Sequence, residues 1–169
     1  SEKDDIRQRH IIDSAQIIDF VDLNSNTTYD LGSGAGLPGL VVAIVMKNLK
    51  IDMKVSLFEK SYHKCVFLKN VSKELNLNTE VIQKDIFKLK NMETGTVMSR
   101  AFKPMPLVLN LVNENFKRFK NIIFFMGKNG KKVLKETLQH WDLDYEEKKS
   151  LTNEDSFILN IKKIRKKLS

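Results

Sequence analysis

The sequence predicts an α/β fold: a mostly parallel, seven-stranded sheet with helices on both faces, closed by a C-terminal antiparallel hairpin. Three observations predict it. Strand-like and helix-like apolar runs alternate from residue 9 to about residue 141, a glycine-dense loop follows the first strand, and the last two strands have no helix between them. Alternation of this kind implies parallel strands joined by right-handed crossovers. A strand pair without an intervening helix requires an antiparallel partner.

The elements follow in order. In RHIIDSAQIIDFV (9–21), Ile11, Ala15, Ile18 and Val21 recur near helical spacing, so an amphipathic helix opens the chain. TTYDL (27–31) is a short strand running into the glycine loop, after which Pro38 occupies a first helical turn, where its missing N–H costs nothing. LVVAIVM (40–46) is apolar almost all round, as a helix buried against a sheet should be. MKVSLFE (53–59) alternates and reads as strand two. Ser61 caps the next helix, which is expected to bury Phe67, Leu68, Val71 and Leu75. TEVIQ (79–83) and TVMS (96–99) are strands three and four, and a helix follows with Val108, Val112, Phe116 and Phe119 on one face. NIIFFM (121–126) reads as a central parallel strand, and a helix over 129–141 ends near Trp141. LDYEEKKSL and SFILNIKKI form the closing hairpin.

At 169 residues, with 41% apolar and 30% charged residues, the chain is expected to form one domain, 1–169, with a helical segment over 1–24 and the core over 25–169. The opening SEKDDIRQRH resembles mid-protein sequence, so a segment is expected to precede it. A single cysteine, Cys65, excludes an internal disulfide framework and suggests a reducing cytosol. No membrane span or signal peptide is seen, and His63 with Cys65 lacks the second cluster that a metal site needs. The net charge of +8 is concentrated in KNGKK (128–132) and KKIRKK (162–167). Such clusters suit a polyanion as well as they suit an ordinary solvated face.

DLGSGAGLPG (30–39) carries glycines at 32, 34, 36 and 39, a density that ordinary strands and helices do not tolerate. Three ligands compete for such a loop. A triphosphate loop needs Lys and Ser or Thr after the last glycine, but Leu40 and Val41 follow. Gly34, Gly36 and Gly39 match the dinucleotide fingerprint, with Glu59 twenty residues beyond Gly39. Against it, Gly32 already ends the strand, and the chain has no room for a substrate domain. The third ligand is S-adenosylmethionine. Backbone N–H groups and Asp30 would line its methionine tail, Glu59 would accept both ribose hydroxyls, and Asp85 would accept from the adenine amino group. Each acid also has a plain alternative: Asp30 capping the loop, Glu59 pairing with Lys60 or Lys64, and Asp85 capping a turn.

RHIIDS (9–14), DLGSGAGLPG and SRAF (99–102), in that order and spacing, resemble the RsmG/GidB family. The similarity runs from about Arg9 to about Arg165. It implies a class I (Rossmann-like) methyltransferase fold and transfer of methyl from S-adenosylmethionine to N7 of a guanine in 16S ribosomal RNA, within the small subunit. Position by position, the implied donor pocket takes Gly32 and Leu37 from the loop, Asp85 and Ile86 after strand three, and Arg100 after strand four. The full expected donor set is Asp30, Gly32, Gly34, Gly36, Leu37, Glu59, Asp85, Ile86 and Arg100. Two departures from the family pattern stand out: Asp85-Ile86 where an Ala-Glu-like pair is common, and Met126-Gly127-Lys128 where a Lys-Gly pair is common. N7 needs no general base, so no catalytic residue is assigned, and His10, Asp13 and Arg100 are expected to border the base. RNA contacts are expected from Lys128, Lys131, Lys132, Lys162, Lys163 and Arg165. A cytoplasmic monomer without metal is expected. The competing class is a non-catalytic RNA- or ribosome-binding module on a degenerate nucleotide fold.

Overall fold

Strands buried along most of their length lie in the middle of the sheet, and those left mostly half-buried or exposed lie at its edges. The computed structural model describes residues 2–168. Helix α1 (Glu2–Ala15) runs into a 3-10 turn (Gln16–Phe20), followed by β1 (Thr27–Leu31), α2 (Gly39–Asn48), β2 (Lys54–Phe58), α3 (Tyr62–Glu74) and β3 (Thr79–Ile82). A second 3-10 turn (Ile86–Lys88) leads to β4 (Met92–Glu93), β5 (Thr96–Ser99), α4 (Met105–Asn115), β6 (Phe116–Arg118), β7 (Asn121–Met126), α5 (Gly130–Thr137), β8 (Trp141–Lys149) and β9 (Phe157–Lys166). Seven strands form one sheet in the order β3-β2-β1-β5-β7-β9-β8, while β4 and β6 make a separate two-stranded ribbon. The strands from β3 to β7 are parallel; β9 runs antiparallel to both β7 and β8.

Alternate side chains of each strand feed two apolar cores, one on each face. Leu31, Phe58, Val97, Ile122, Phe124 and Leu159 pack with Val108, Leu109 and Val112 of α4 and Leu134 of α5. Leu57, Met98, Ile123 and Ile158 pack with Ile17, Val42 and Met46 and with Leu68 of α3. After β1 the chain moves outward to β2 and β3, then returns past β1 to β5 and β7. The strand order therefore reverses between β1 and β5, and the loops leaving their carboxyl ends diverge. Open α/β sheets bind ligands in that crevice.

One carboxylate shapes the loop that leaves β1. Asp30 is 1% exposed, and its Oδ2 accepts the Gly39 amide at 3.0 Å, satisfying a free N–H at the start of α2. A Cβ on Gly39 would lie 2.3 Å from Leu57 and 2.5 Å from Asp30 Oδ2, so only glycine lets helix and strand approach this closely. Pro38 sits just before the helix as its N-cap rather than in its first turn, after a cis Leu37–Pro38 bond.

Several expected boundaries move. The first α-helix ends at Ala15 instead of 21, and Ile11 is 52% exposed; Ser14, Gln16, Ile17 and Val21 are the buried residues. The chain tightens there as Gln16 reaches across to Lys149 O and Leu151 N. In α3, Phe67 (48%) and Leu75 (42%) are exposed, because the helix covers an edge strand and needs only the narrow stripe of Cys65, Leu68 and Ser72. Phe116 and Phe119 lie outside α4: Asn115 donates to Phe87 O and Leu89 O, and the chain beyond it pairs with β4. Helix α5 stops at Thr137, and Trp141 starts β8 instead of ending the helix. His140 beside it is exposed.

At the amino end of the sheet, Asn121 ties four elements together. Its Nδ2 donates to Phe20 O and Asn160 Oδ1, both at 2.7 Å, and its Oδ1 accepts from Thr96 Oγ1 at 2.8 Å. Asn121→Leu would orphan these buried partners. The expected loss is about 2–4 kcal/mol, read as a lower urea midpoint at an unchanged slope.

Burial pushes the Asp30 carboxyl up to about 7, against the opposing pull of hydrogen bonds from Ser33 and Gly39 and of the Arg100 charge. The folded chain thus holds this proton more tightly than the unfolded chain, whose carboxyl titrates near 4. The stabilisation from this site is full below that value and is lost as pH rises through about 7. Asp30→Asn keeps an acceptor for Gly39 without the titration. Between pH 5 and pH 8, wild type is expected to lose on the order of 2–4 kcal/mol relative to the variant. Urea unfolding followed by Trp141 fluorescence measures this; parallel pH profiles would refute it.

Candidate active site

The loops at the carboxyl ends of β1, β2, β3 and β5 enclose a cleft of about 790 Å³. Its size falls in the range of small-molecule sites. Gly32, Ser33, Gly34, Ala35 and Leu37 form one wall, Phe58 and Glu59 another, and Asp85, Ile86 and Phe87 a third; Arg100, Ala101, Phe102 and His10 close it.

The glycines have different jobs. A Cβ on Gly32 (φ +68°) would fall 2.2 Å from the Phe102 ring, and one on Gly36 would fall 2.3 Å from Leu40, so both serve packing. At Gly34 (φ +56°) the added atom would find only Gly32 O, at 3.8 Å. Its missing side chain is open space in the wall of the cleft.

Glu59, just past the end of β2, is held from both sides. Oε2 accepts the Gly34 amide and Oε1 the Ser61 amide, each at 2.9 Å. One lone pair on each oxygen remains for a ligand. The expected pairing with Lys60 or Lys64 is not what holds it; Lys60 instead reaches Asp85, at 3.7 Å. Asp85 caps the short turn after β3, with Oδ1 accepting from Phe87 N at 3.2 Å, and lines the cleft as well.

Not every expected donor residue is a wall. Gly32, Gly34, Leu37, Glu59, Asp85, Ile86 and Arg100 line the cleft, whereas Asp30 and Gly36 stand behind the loop and shape it. The buried acid of the loop is a cap, and this corrects its expected place along the ligand.

Arg100 borders a second, smaller hollow of about 390 Å³. With Ala101 it is shared between the two cavities, and the smaller one continues to Asp13, Phe125, Met126, Gly127, Ser150, Ser156 and Phe157. Arg100 stacks over Phe125 at 5.4 Å and donates to Ser14 Oγ at 3.3 Å and to His10 Nδ1 at 2.5 Å. Burial lowers its pKa, while Asp13 and Asp30 oppose the shift. Guanidinium only donates, so His10 must accept through Nδ1 and carry its proton on Nε2. Ala101 has φ +47°, a costly left-handed residue at the partition between the cavities. Asp13 is committed to the loop between β8 and β9, accepting from Thr152 Oγ1 at 2.6 Å and Ser150 Oγ at 3.0 Å. The three expected base-pocket residues therefore divide: His10 faces the large cleft, Asp13 the small hollow, and Arg100 both.

The expected RNA-binding cations also divide. Lys128 and Lys132 are exposed beyond β7, on the cleft side, with Lys131 paired to Glu147. Lys162, Lys163 and Arg165 lie on β9 past its pairing with the amino end of β7, so they occupy the opposite end of the sheet. Lys162 faces Glu146, and Arg165 holds Asp142. Missed by the sequence reading were Lys60, Lys64, Lys84 and Lys103, all of which line the cleft. Their signal was position: each lies within a few residues of a strand's carboxyl end. Among the described residues no group of three His, Cys, Asp or Glu is placed to hold a metal, and no helix is long and apolar enough to cross a membrane.

Solved structures share the fold. Magnesium protoporphyrin IX methyltransferase from Synechocystis, determined with bound S-adenosylmethionine, matches 96% of this chain and 82% of its own, with TM-score 0.67 and 15% identity. The 16S rRNA methylase RmtB matches 92% of this chain and 64% of its own, with TM-score 0.64 and 11% identity. Sequence relatives are nearer. Ribosomal RNA small subunit methyltransferase G of Pelagibacter ubique is 61% identical over 162 residues, covering 96% of this chain and 76% of that protein. The protein of the same name from Dinoroseobacter shibae is 33% identical over 155 residues, covering 91% and 79%. Residues 1–160 match the family described as GidB, rRNA small subunit methyltransferase G. With the RHIIDS, glycine-loop and SRAF segments all meeting at one cleft, the chain belongs to the GidB family.

Proposed function

We propose that this chain methylates 16S ribosomal RNA at N7 of a guanine, with S-adenosylmethionine as the donor. The observation that carries the reading is the open wall at Gly34 beside a carboxylate fixed by the Gly34 and Ser61 amides. Those features fit the donor: backbone N–H groups and a glycine-walled hollow suit an amino-acid tail, and an anchored carboxylate with free lone pairs suits vicinal hydroxyls. Gly32, Gly34 and Leu37 would hold the tail, Glu59 the ribose, and Asp85, Ile86 and Phe87 the adenine. The target base would occupy the smaller hollow, reaching the donor past Arg100 and Ala101.

When bound, S-adenosylmethionine supplies a methyl group on a sulfonium leaving group. The chain's own residues supply alignment. N7 of guanine is a lone-pair nucleophile in the neutral base, so no proton is removed as the new bond forms, and positioning supplies the acceleration. Arg100 is held by Ser14, His10 and the Phe125 face, which presents its remaining N–H groups at the junction of the cavities. His10 keeps Nε2–H as a donor at the cleft wall. The substrate would be met within the small ribosomal subunit, in the cytoplasm, by a single-domain monomer.

Two outcomes test this. Gly34→Val places a branched side chain in the cradle at a left-handed residue. It is expected to weaken S-adenosylhomocysteine binding in calorimetry at least a hundredfold, while the circular dichroism spectrum stays native; retained binding would mean the loop is not the cradle. Small subunits lacking the modification, incubated with methyl-labelled donor and wild-type protein, are expected to carry label on a single guanine of 16S RNA. Label on protein or on another base would overturn the assignment, and absence of both donor binding and transfer would favour the non-catalytic module.

A further inference from the structure

The cleft mouth carries cations for which its own walls give little reason. Lys60 and Lys64 follow β2, Lys84 follows β3, and Lys103 follows β5, so they ring the opening from separate loops. All are exposed. Lys60 meets Asp85 at 3.7 Å, and among the described residues Lys64, Lys84 and Lys103 have no carboxylate within ion-pair distance. The β8–β9 hairpin is the opposite case: Lys162, Arg165 and Lys167 face Glu146 and Asp142 across the strands. Positive charge on the hairpin is largely matched within the fold. At the rim, the charges of Lys64, Lys84 and Lys103 are left for a partner.

A second feature adjoins these lysines. Tyr62, the first residue of α3, lies between Lys60 and Lys64 and is 64% exposed. Its ring meets His63 edge to face at 5.7 Å, and Val66 and Phe67 continue an exposed apolar ridge one turn along. Exposed rings interleaved with lysines are the combination that binds unpaired nucleic acid, with the cations tracking phosphates and the rings receiving bases.

We propose that the cleft rim, Lys60, Lys64, Lys84 and Lys103 with the ring of Tyr62, is the landing surface for the single-stranded RNA that flanks the target base. This rests on the function proposed above, because the RNA must approach the end of the sheet where donor and base meet. It moves the main phosphate contacts away from Lys162, Lys163 and Arg165. Single-stranded RNA is favoured over a ribosomal protein because the charges ring a concave opening instead of forming a flat patch, and because a base needs a ring to stack on.

The probe is a fluorescein-labelled ten-nucleotide RNA of mixed sequence without self-pairing, titrated with wild-type protein across a salt series and read by anisotropy. Tyr62→Ala is expected to weaken binding at least about fivefold, and Tyr62→Phe to restore it. Changing Lys64, Lys84 and Lys103 together to alanine is expected to reduce the slope of log affinity against log salt by about 0.7 per lysine. Changing Lys162 and Lys163 to alanine is expected to leave both quantities near wild type. Native circular dichroism qualifies each variant. S-adenosylhomocysteine calorimetry on Tyr62→Ala, whose ring lies outside the cleft wall, separates this proposal from the function itself: loss of RNA affinity with donor-analogue affinity intact supports it. Unchanged affinity in Tyr62→Ala and in the triple variant, or a salt slope that follows Lys162 and Lys163, overturns it whether or not the analogue binds. RNA affinity unchanged while small-subunit binding falls would assign the rim to a ribosomal protein, which also overturns it.

Discussion

The carboxylate of Asp30 has almost no contact with solvent and accepts the Gly39 amide at 3.0 Å, so the chain must leave β1 and return to it within nine residues. So tight a return runs through left-handed backbone at Gly32, Gly34 and Gly36. It presents the Gly34 amide to Glu59, just past the end of the neighbouring strand. Burying an acid is expensive, which is why its proton affinity rises; the amide and hydroxyl around it offset part of that cost. Strand, loop, helix start and the second acid of the site therefore form one hydrogen-bonded unit, and the shape of the cleft follows from it.

A second constraint acts from the far side of the switch point. Arg100 leaves β5 where the sheet order reverses, and its planar fork reaches Ser14 and His10 of α1. Lysine would not replace it, since one ammonium does not span two partners while stacking on Phe125. The left-handed Ala101 turns the chain immediately afterwards, so that Phe102 packs under Gly32. The partition between the two cavities is thus built from strained backbone and a half-buried cation, features that stability alone would not favour.

Most of the fold was legible in the sequence because strand and helix periods differ and because β7 is a nearly continuous apolar run. β5 and β7 appear at the predicted residues, TVMS and NIIFFM. What was not legible depends on tertiary contacts. Phe116 reads as helical until Asn115 is seen bonding to Phe87 O and Leu89 O, and Phe67 reads as core unless one knows that α3 covers an edge strand. For the site, the glycine loop, Glu59 and Asp85 were legible from their places after strands. The role of Asp30 was not, because a cap and a ligand contact place the same residue at the same position. That the two basic clusters lie at opposite ends of the sheet was hidden for a related reason: charge density along the chain carries no information about which end of an antiparallel strand it decorates.

The RHIIDS segment shows how a short motif encodes a long-range joint. Its His10 and Ser14 hold Arg100, while its Asp13 accepts the hydroxyls of Ser150 and Thr152 in the loop that closes the sheet. One turn further on, Gln16 bonds Lys149 O and Leu151 N, and Lys148 reaches back to Gln16 O and Asp19. Helix α1 is therefore clamped at its C-terminal end to the β8–β9 hairpin, while its exposed Ile6, Ile11 and Ile12 contribute little to holding it. The orientation of His10 depends on residues some 140 positions away. That explains why a hairpin at the edge of the sheet, with no wall in the large cleft, belongs to the same functional unit: it fixes the helix that fixes the arginine between the two cavities.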